Sequence, residues 1–355
     1  MRTCLLSMKG NFDKNIGQGV QRYIYEIWKD LSAITKAPDK LDKIELGVGS
    51  SRLARIVSFT LSSLLHDFRK YDIVHAPAPI MFNPPVRGKA LMVTTLHELV
   101  EIDRDSAYYI AMSKLRKKHI VSEYMNNSIE RRIRRQVLGS DHIIATSTLV
   151  KREAVKAGYD ASRIHIVNQG VDRRFIDEPM HRKSGAFTVG YLGAHNIRKN
   201  VGFAIRAVRR IEDRNIAFKV YGKGAEHDNL VRLADGDRRI EFMGFAPEES
   251  IVKAYDSFDV LIHPTLYAGF ELEIIEAQCR GVPVIVFKKG IMPEEVRRYC
   301  IEAEDEDDAA RIIEGIKREG YDERRRKAAM EYARRFTWEK CAKETRKVYE
   351  SILSH

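Results

Sequence analysis

Short apolar runs rich in β-branched residues alternate along the chain with longer stretches in which apolar positions recur every three or four residues. "TCLLSM", followed by a helical pattern from about 19 to 33, then "YDIVHA", "ALMVTTLH", "DHIIATS" and "RIHIVNQG" read as buried strands. After Gly170 a second series begins with "AFTVGYLG", "AFKVYGKG", "RIEFMGF", "DVLIHPT" and "VPVIVF", each leading into a helical stretch. Such alternation predicts parallel sheets with helices on both faces. Two Rossmann-like domains in tandem are the simplest solution, the first over 1–170 and the second over 171–336. An interdomain linker is expected near 170–186, where Pro, Gly and polar residues show no period. Open parallel sheets bind ligands beyond the carboxyl ends of their strands, so two of them facing each other place the active site in a cleft. The closing "FTWEKCAKETRKVYESIL" predicts a helix over 337–355 with Thr337 as N-cap and Trp338, Cys341, Thr345, Val348 and Ile352 on one side. With no strand of its own, it must pack on a domain already built.

Composition agrees with this picture. At 355 residues the chain exceeds what one core usually serves, and 44% hydrophobic content is that of a globular protein. The start has no signal-peptide pattern, and no run approaches the roughly 20 apolar residues that span a bilayer, so a cytoplasmic location is expected. Cys4, Cys279, Cys300 and Cys341 form no CxxC pair, and neither a zinc site nor a disulfide framework is expected. The net charge of +11 is uneven: residues 1–165 hold 27 Lys and Arg against 17 Asp and Glu, the remainder 34 against 33. The basic first half suits an anionic partner, whether a membrane surface, a phosphorylated substrate or nucleic acid, or else a surface rich in solvated cations. Residues 112–136, with eight Lys or Arg against two Glu, could lie on lipid headgroups or face solvent.

Chemistry concentrates at strand ends. In "VGYLGAHNIRKNVGFAIRAV" a strand ends at Gly193, a loop carries Arg198 and Lys199, and Asn200 can cap the next helix, which together suit a diphosphate. "VYGKG" ends another strand, and Gly222 and Gly224 permit close approach of a ligand or an ordinary tight turn. "LYAGFELEIIEAQCRGVPVI" crowds Glu271, Glu273 and Glu276 into a loop and first helical turns. Acids there complement the helix dipole. Glu273 and Glu276 share a helix face from which Glu271 is displaced, and one acid could hold a ribose diol. In the first half, Gly17 and Gly19 do not complete a dinucleotide fingerprint but can form a flexible loop. His97 ends a strand in "TTLHE", where it is either structural or faces the cleft, and His75 sits similarly with less support.

Taken in order, these segments resemble glycosyltransferase family 4. The resemblance runs over nearly the whole chain and is most specific in "YLGAHNIRKN" and "YDSFDVLIHPTLYAGFELEIIEAQCRGVPVI". It implies the GT-B fold: two Rossmann-like domains across a cleft, with the last helix crossing back to the first. It implies a retaining, metal-independent transfer of a hexose from a nucleotide diphosphate sugar to the hydroxyl of a glycan or lipid-linked acceptor, with no cofactor and no nucleic acid partner. Arg198 and Lys199 match the diphosphate-binding pair and His97 a residue contacting the transferred sugar. Glu276 matches the second acid of the Glu-x7-Glu motif, which accepts ribose hydroxyls. Gly269, Phe270, Glu271 and Leu272 lie on the loop facing donor sugar and β-phosphate, while Gly17, Gly19, Gly193, Gly222, Lys223 and Phe245 border the donor.

The chain also departs from the pattern. Ala268 replaces the first acid of Glu-x7-Glu, Glu271 stands where Gly is common, and Gln169 replaces an Asn. A different handling of the sugar, reduced activity or an engineered Ala268 would each account for the lost acid. A nucleotide-sugar epimerase on the same frame and a weakly active sugar-nucleotide-binding protein are the competing readings.

Overall fold

The computed structural model describes residues 1–8, 11–12, 19–47, 52–80, 83–84, 87–98, 134–180 and 185–354. It divides into two units, Met1–Gly170 with Trp338–His355, and Val171–Thr337.

The first unit is built on β1 (Arg2–Met8), β2 (Lys40–Leu46), β3 (Ile73–Ala76), β4 (Leu91–Leu96), β5 (His142–Ala145) and β6 (Ile164–Ile166). Every pairing is parallel, in the order β2-β1-β3-β4-β5-β6. One face is filled by Cys4, Leu6, Val74, Ala76 and Met92, the every-other-residue set of their strands, with Phe59 from the helix Arg52–Leu65. The reading of strands from apolar runs omitted β2. As an edge strand it buries only Ile44 and carries Lys40, Asp42, Lys43 and Glu45, the charge pattern that protects an unpaired edge.

The last helix, Trp338–Leu353, packs on the helix Val20–Ile34 of this unit. It buries Trp338, Cys341, Thr345, Val348 and Ile352, the stripe expected from the period, together with Ala342 and Tyr349. Arg346 pins its outer side to Asp39 Oδ2 at 2.6 Å and to Ile34 O at 3.1 Å.

The second unit holds β7 (Phe187–Leu192), β8 (Ile216–Tyr221), β9 (Ile240–Gly244), β10 (Val260–Ile262), β11 (Val284–Phe287) and β12 (Ile301–Ala303). The parallel order β12-β11-β10-β7-β8-β9 is the doubly wound arrangement, which reverses between β7 and β10. The helix Val201–Arg210 covers one face, burying Phe203, Ala204, Ile205, Ala207 and Val208.

The segment expected to be linker belongs largely to this unit. Val171 donates to Phe336 O at 3.0 Å, and Phe175 in the short helix Arg174–Asp177 is fully buried. Arg280 holds both oxygens of Asp256 at 2.7 and 2.8 Å and donates to the carbonyls of Glu178 and Pro179 at 2.7 and 2.9 Å. The missing hydrophobic period of these residues reflects carbonyls held by a buried guanidinium rather than freedom of the chain. Among the described residues, no helix is long and apolar enough to cross a membrane.

Candidate active site

Reversal of strand order between β7 and β10 opens a crevice beyond their carboxyl ends, because the following helices lie on opposite faces of the sheet. Two loops meet there. The loop after β7 runs from Gly193 to Asn200, the loop after β10 from His263 to Glu271, and Leu266 N donates to Arg198 O at 2.8 Å. Lys199 of the first loop is 4% exposed, and its ammonium is hydrogen-bonded to Glu271 Oε2 and lies 3.3 Å from Glu273 Oε1. His263 Nε2 and Thr265 Oγ1 approach the same Glu271 carboxylate at 3.3 and 3.4 Å. Arg198 is half-buried and reaches Tyr267 O at 3.4 Å.

The charges in this cluster depend on one another. Burial alone would drive the Glu271 carboxyl up, but the Lys199 ammonium, the His263 hydrogen bond and the Arg198 charge outweigh it and hold the group well below the usual carboxylate range. Burial likewise opposes a charged Lys199, and the Glu271 and Glu273 carboxylates reverse that effect and raise it. His263, Glu271 and Glu273 offer donor atoms within 4.8 Å of one another, a spacing a metal ion could use, yet the cation bonded to both carboxylates is the Lys199 ammonium.

Two expectations about this region need correction. Glu271 does not stand apart from Glu273: both address Lys199, and Glu276 is the separate acid, accepting from Tyr255 OH at 2.9 Å. Glu271 is the N-cap of the helix Leu272–Cys279, with extended backbone, so helical-face geometry does not govern where its side chain goes. Asn200 does not cap the helix Val201–Arg210 through its side chain. It adopts a left-handed conformation at φ 52°, and the side-chain cap is one turn earlier, where Asn196 Oδ1 accepts from Lys199 N at 3.0 Å.

Ala268, Gly269 and Leu272 are buried, and Ala268 N donates to Ile291 O at 2.9 Å. Phe270 is half-buried against the Phe336 ring at 5.8 Å, whereas Lys223 and Phe245 are exposed. Gly222 and Gly224 serve the packing of two loops. A Cβ on Gly222 would stand 1.8 Å from Gly193 O, and one on Gly224 2.2 Å from His195 O. His195 N closes the contact by donating to Lys223 O at 2.9 Å.

In the first unit, His97 is 5% exposed and both ring nitrogens are occupied. Nε2 donates to Pro77 O at 2.8 Å, so Nδ1 accepts from Gln169 Nε2 at 3.0 Å, and Gln169 thereby fixes the neutral tautomer. His75 is fully buried between Tyr349 OH and Thr95 Oγ1. Burial pushes His97 down to about 4 and, with the His97 charge adding, His75 down to about 3. Gly19, at φ 70°, precedes the helix Val20–Ile34, while Gly17 and nearly all of 112–136 lie outside the described residues.

Residues not singled out from the sequence include His263, whose signal was its place at the end of β10, and Tyr255. The pair His195 and His227, with Nδ1 atoms 3.1 Å apart, also escaped notice. His195 lies two residues after Gly193, and His227 opens the helix that follows Gly224.

Comparison with known proteins is consistent across both units. The family described as Glycosyltransferase Family 4 matches residues 44–175, and that described as Glycosyl transferases group 1 matches 186–318. The chain belongs to the family 4-type glycosyltransferases. It is 29% identical over 173 residues to the O-antigen chain mannosyltransferase B of Escherichia coli, covering 46% of this chain and 45% of that one. It is 23% identical over 281 residues to the MMP alpha-(1->4)-mannosyltransferase of Mycolicibacterium hassiacum, covering 74% and 66%. The chain thus spans about half the length of the first curated relatives it matches. Among solved structures, sucrose-phosphate synthase from Thermosynechococcus elongatus superposes with a TM-score of 0.72 at 18% identity, covering 99% of both chains. Anabaena Alr3699/HepE, solved with UDP and glucose, gives 0.66 at 16% identity, covering 99% and 100%. At these identities the likeness concerns the fold, which is GT-B.

Proposed function

We propose that this protein transfers a hexose of mannose or glucose type from a nucleotide diphosphate sugar to an acceptor hydroxyl, with retention of anomeric configuration. The observation that carries this reading is Lys199, a buried ammonium on the loop after β7 at the reversal of strand order, with Arg198 beside it. Fixed cations in a dry crevice stabilise the charge that develops on a departing diphosphate at little reorganisation cost. Lys199 supplies the positive charge that a metal ion would otherwise bring, which supports a metal-independent reaction. Relatives named as mannosyltransferases support the sugar type, and a relative named D-inositol 3-phosphate glycosyltransferase, with the basic first half, supports a phosphorylated or lipid-linked acceptor.

The test is thermal melting with GDP or UDP in the presence of a chelator. Binding to the folded state raises the melting temperature in proportion to ln(1 + [L]/Kd), and Lys199→Ala should abolish the rise. No shift with either nucleotide would overturn the proposal.

A second reading, a protein of weak activity that binds sugar nucleotide, draws on the same cluster: two carboxylates already satisfy Lys199, and Ala268 offers no acid to the sugar. Turnover over a panel of acceptors separates the two.

A further inference from the structure

Strand β10 runs through Val260, Leu261 and Ile262, all buried, and the next residue breaks the apolar series without leaving the interior. His263 is fully buried, and its backbone N–H still donates to Ile285 O at 2.8 Å. An ionised carboxylate can only accept, so the 3.3 Å contact with Glu271 Oε2 puts the hydrogen on His263 Nε2. Nδ1 is then a bare acceptor, buried with no hydrogen-bonding partner among the described residues. The ring lies nearly parallel to that of Tyr191, with centroids 5.8 Å apart at 11°, and Tyr191 OH donates to Ala194 O at 3.1 Å. A leucine would continue the apolar run and leave no nitrogen unserved, so packing does not account for an imidazole here. What a leucine cannot supply is the Nε2–H on Glu271.

That hydrogen matters because Glu271 is divided between two loops. Lys199 reaches its carboxylate from the loop after β7, whereas His263 and Thr265 hold it from its own loop. A buried carboxylate left without donors is costly, and an ammonium turns more readily to a new anion when other donors remain on the acid it leaves. We propose that His263 is a positioning residue for the nucleotide: by keeping the Glu271 carboxylate on its own loop, it frees the Lys199 ammonium for the diphosphate. The inference rests on the reading of the crevice as a nucleotide diphosphate site, and it adds a residue that acts there only through Glu271.

The experiment is calorimetric titration of the full chain with GDP and with UDP in the presence of a chelator, for the unaltered protein, His263→Leu, His263→Gln, Glu271→Gln and the double variant His263→Leu/Glu271→Gln. Expected is a Kd roughly 10-fold higher in His263→Leu, the effect of one hydrogen bond to a charged group. His263→Gln, whose amide can donate from near the place of Nε2, should recover most of the affinity. With Glu271→Gln already present, the leucine substitution should change Kd by less than about 2-fold, because the charged acceptor through which His263 acts is gone. Urea unfolding checks that each variant is folded, and His263→Met replaces His263→Leu should the latter not fold. An unchanged Kd in His263→Leu, an equal loss in both backgrounds, or a glutamine variant no better than the leucine one would overturn the inference while the nucleotide site stood. No binding of either nucleotide by the unaltered protein would overturn both.

Discussion

Lys199 and Glu271 form an ion pair that is almost sealed from solvent, the side chains being 5% and 3% exposed. The ammonium proposed to meet a diphosphate is therefore already held by a carboxylate, and a second, Glu273, stands at 3.3 Å. A diphosphate entering the crevice gains from the lysine and is repelled by the acids.

That balance predicts opposite effects for the two partners. Glu271→Gln removes a negative charge beside the ligand and should tighten GDP or UDP binding, read as a larger melting shift or a lower Kd by calorimetry. The same substitution leaves a buried ammonium with one acid fewer and should cost roughly 3 kcal/mol of stability by urea unfolding. Lys199→Ala should lose the nucleotide response. If Glu271→Gln weakened nucleotide binding, the carboxylate would be supporting the ligand rather than competing with it.

Ala268 stands where the family's first acid is expected, and its surroundings decide what restoring that acid would do. It is fully buried, and its N–H is committed to Ile291 O. Ala268→Glu would restore the family's acid but enclose a second carboxylate in the loop that already carries Glu271. We expect a fall of several degrees in melting temperature and no gain in turnover. A variant that melts as before and turns over faster would show that the loop opens to receive the acid.

The buried imidazoles of the first unit make stability depend on pH above the range in which carboxylates titrate. In the unfolded chain His75 and His97 protonate near 6.5, whereas burial holds them neutral down to about 3 and about 4. Between those limits the unfolded state binds more protons, so unfolding free energy falls as pH falls. The stability is fully present above 6.5 and is lost on acidification towards 4. Each imidazole contributes a slope of about 1.4 kcal/mol per pH unit. Urea titrations between pH 6.5 and 5 should show that slope drop by about this amount in His97→Asn. An unchanged slope would mean that His97 protonates as readily folded as unfolded.

Much of the fold was legible because parallel strands buried on both faces leave uninterrupted apolar runs. β7 and β10 are such runs, whereas β8 buries every other residue around Lys219, and the loops after β7 and β10 are marked by the strand ends alone. What escaped follows from contacts distant in sequence. β2 is a charged edge, and β12 has three residues, too few to show a period. Glu271 was misplaced because a helix period was applied to a residue just outside the helix. That Lys199 is enclosed rather than offered to solvent depends on an acid 72 residues away, and no local pattern carries that information.

The glycines after β8 illustrate the same difficulty, and they give a sharp test. From sequence, Gly222 and Gly224 could cradle a ligand or form a turn. In the structure a Cβ on Gly222 would lie 1.8 Å from the carbonyl oxygen of Gly193, which opens the loop leading to Lys199, and the backbone there has φ 134°. Gly236 also has a positive φ, 68°, but nothing lies within 4 Å of the position a Cβ would take. Gly236→Ala should therefore pay only for the backbone, about 1 to 2 kcal/mol. Gly222→Ala should cost more than about 3 kcal/mol, because a carbonyl must move to admit the methyl group. It should also blunt the melting response to nucleotide, since displacing Gly193 shifts the loop on which Lys199 stands. Equal costs in the two variants, measured by urea unfolding, would show that the loops after β7 and β8 part easily. Gly222 would then be available for a ligand to approach.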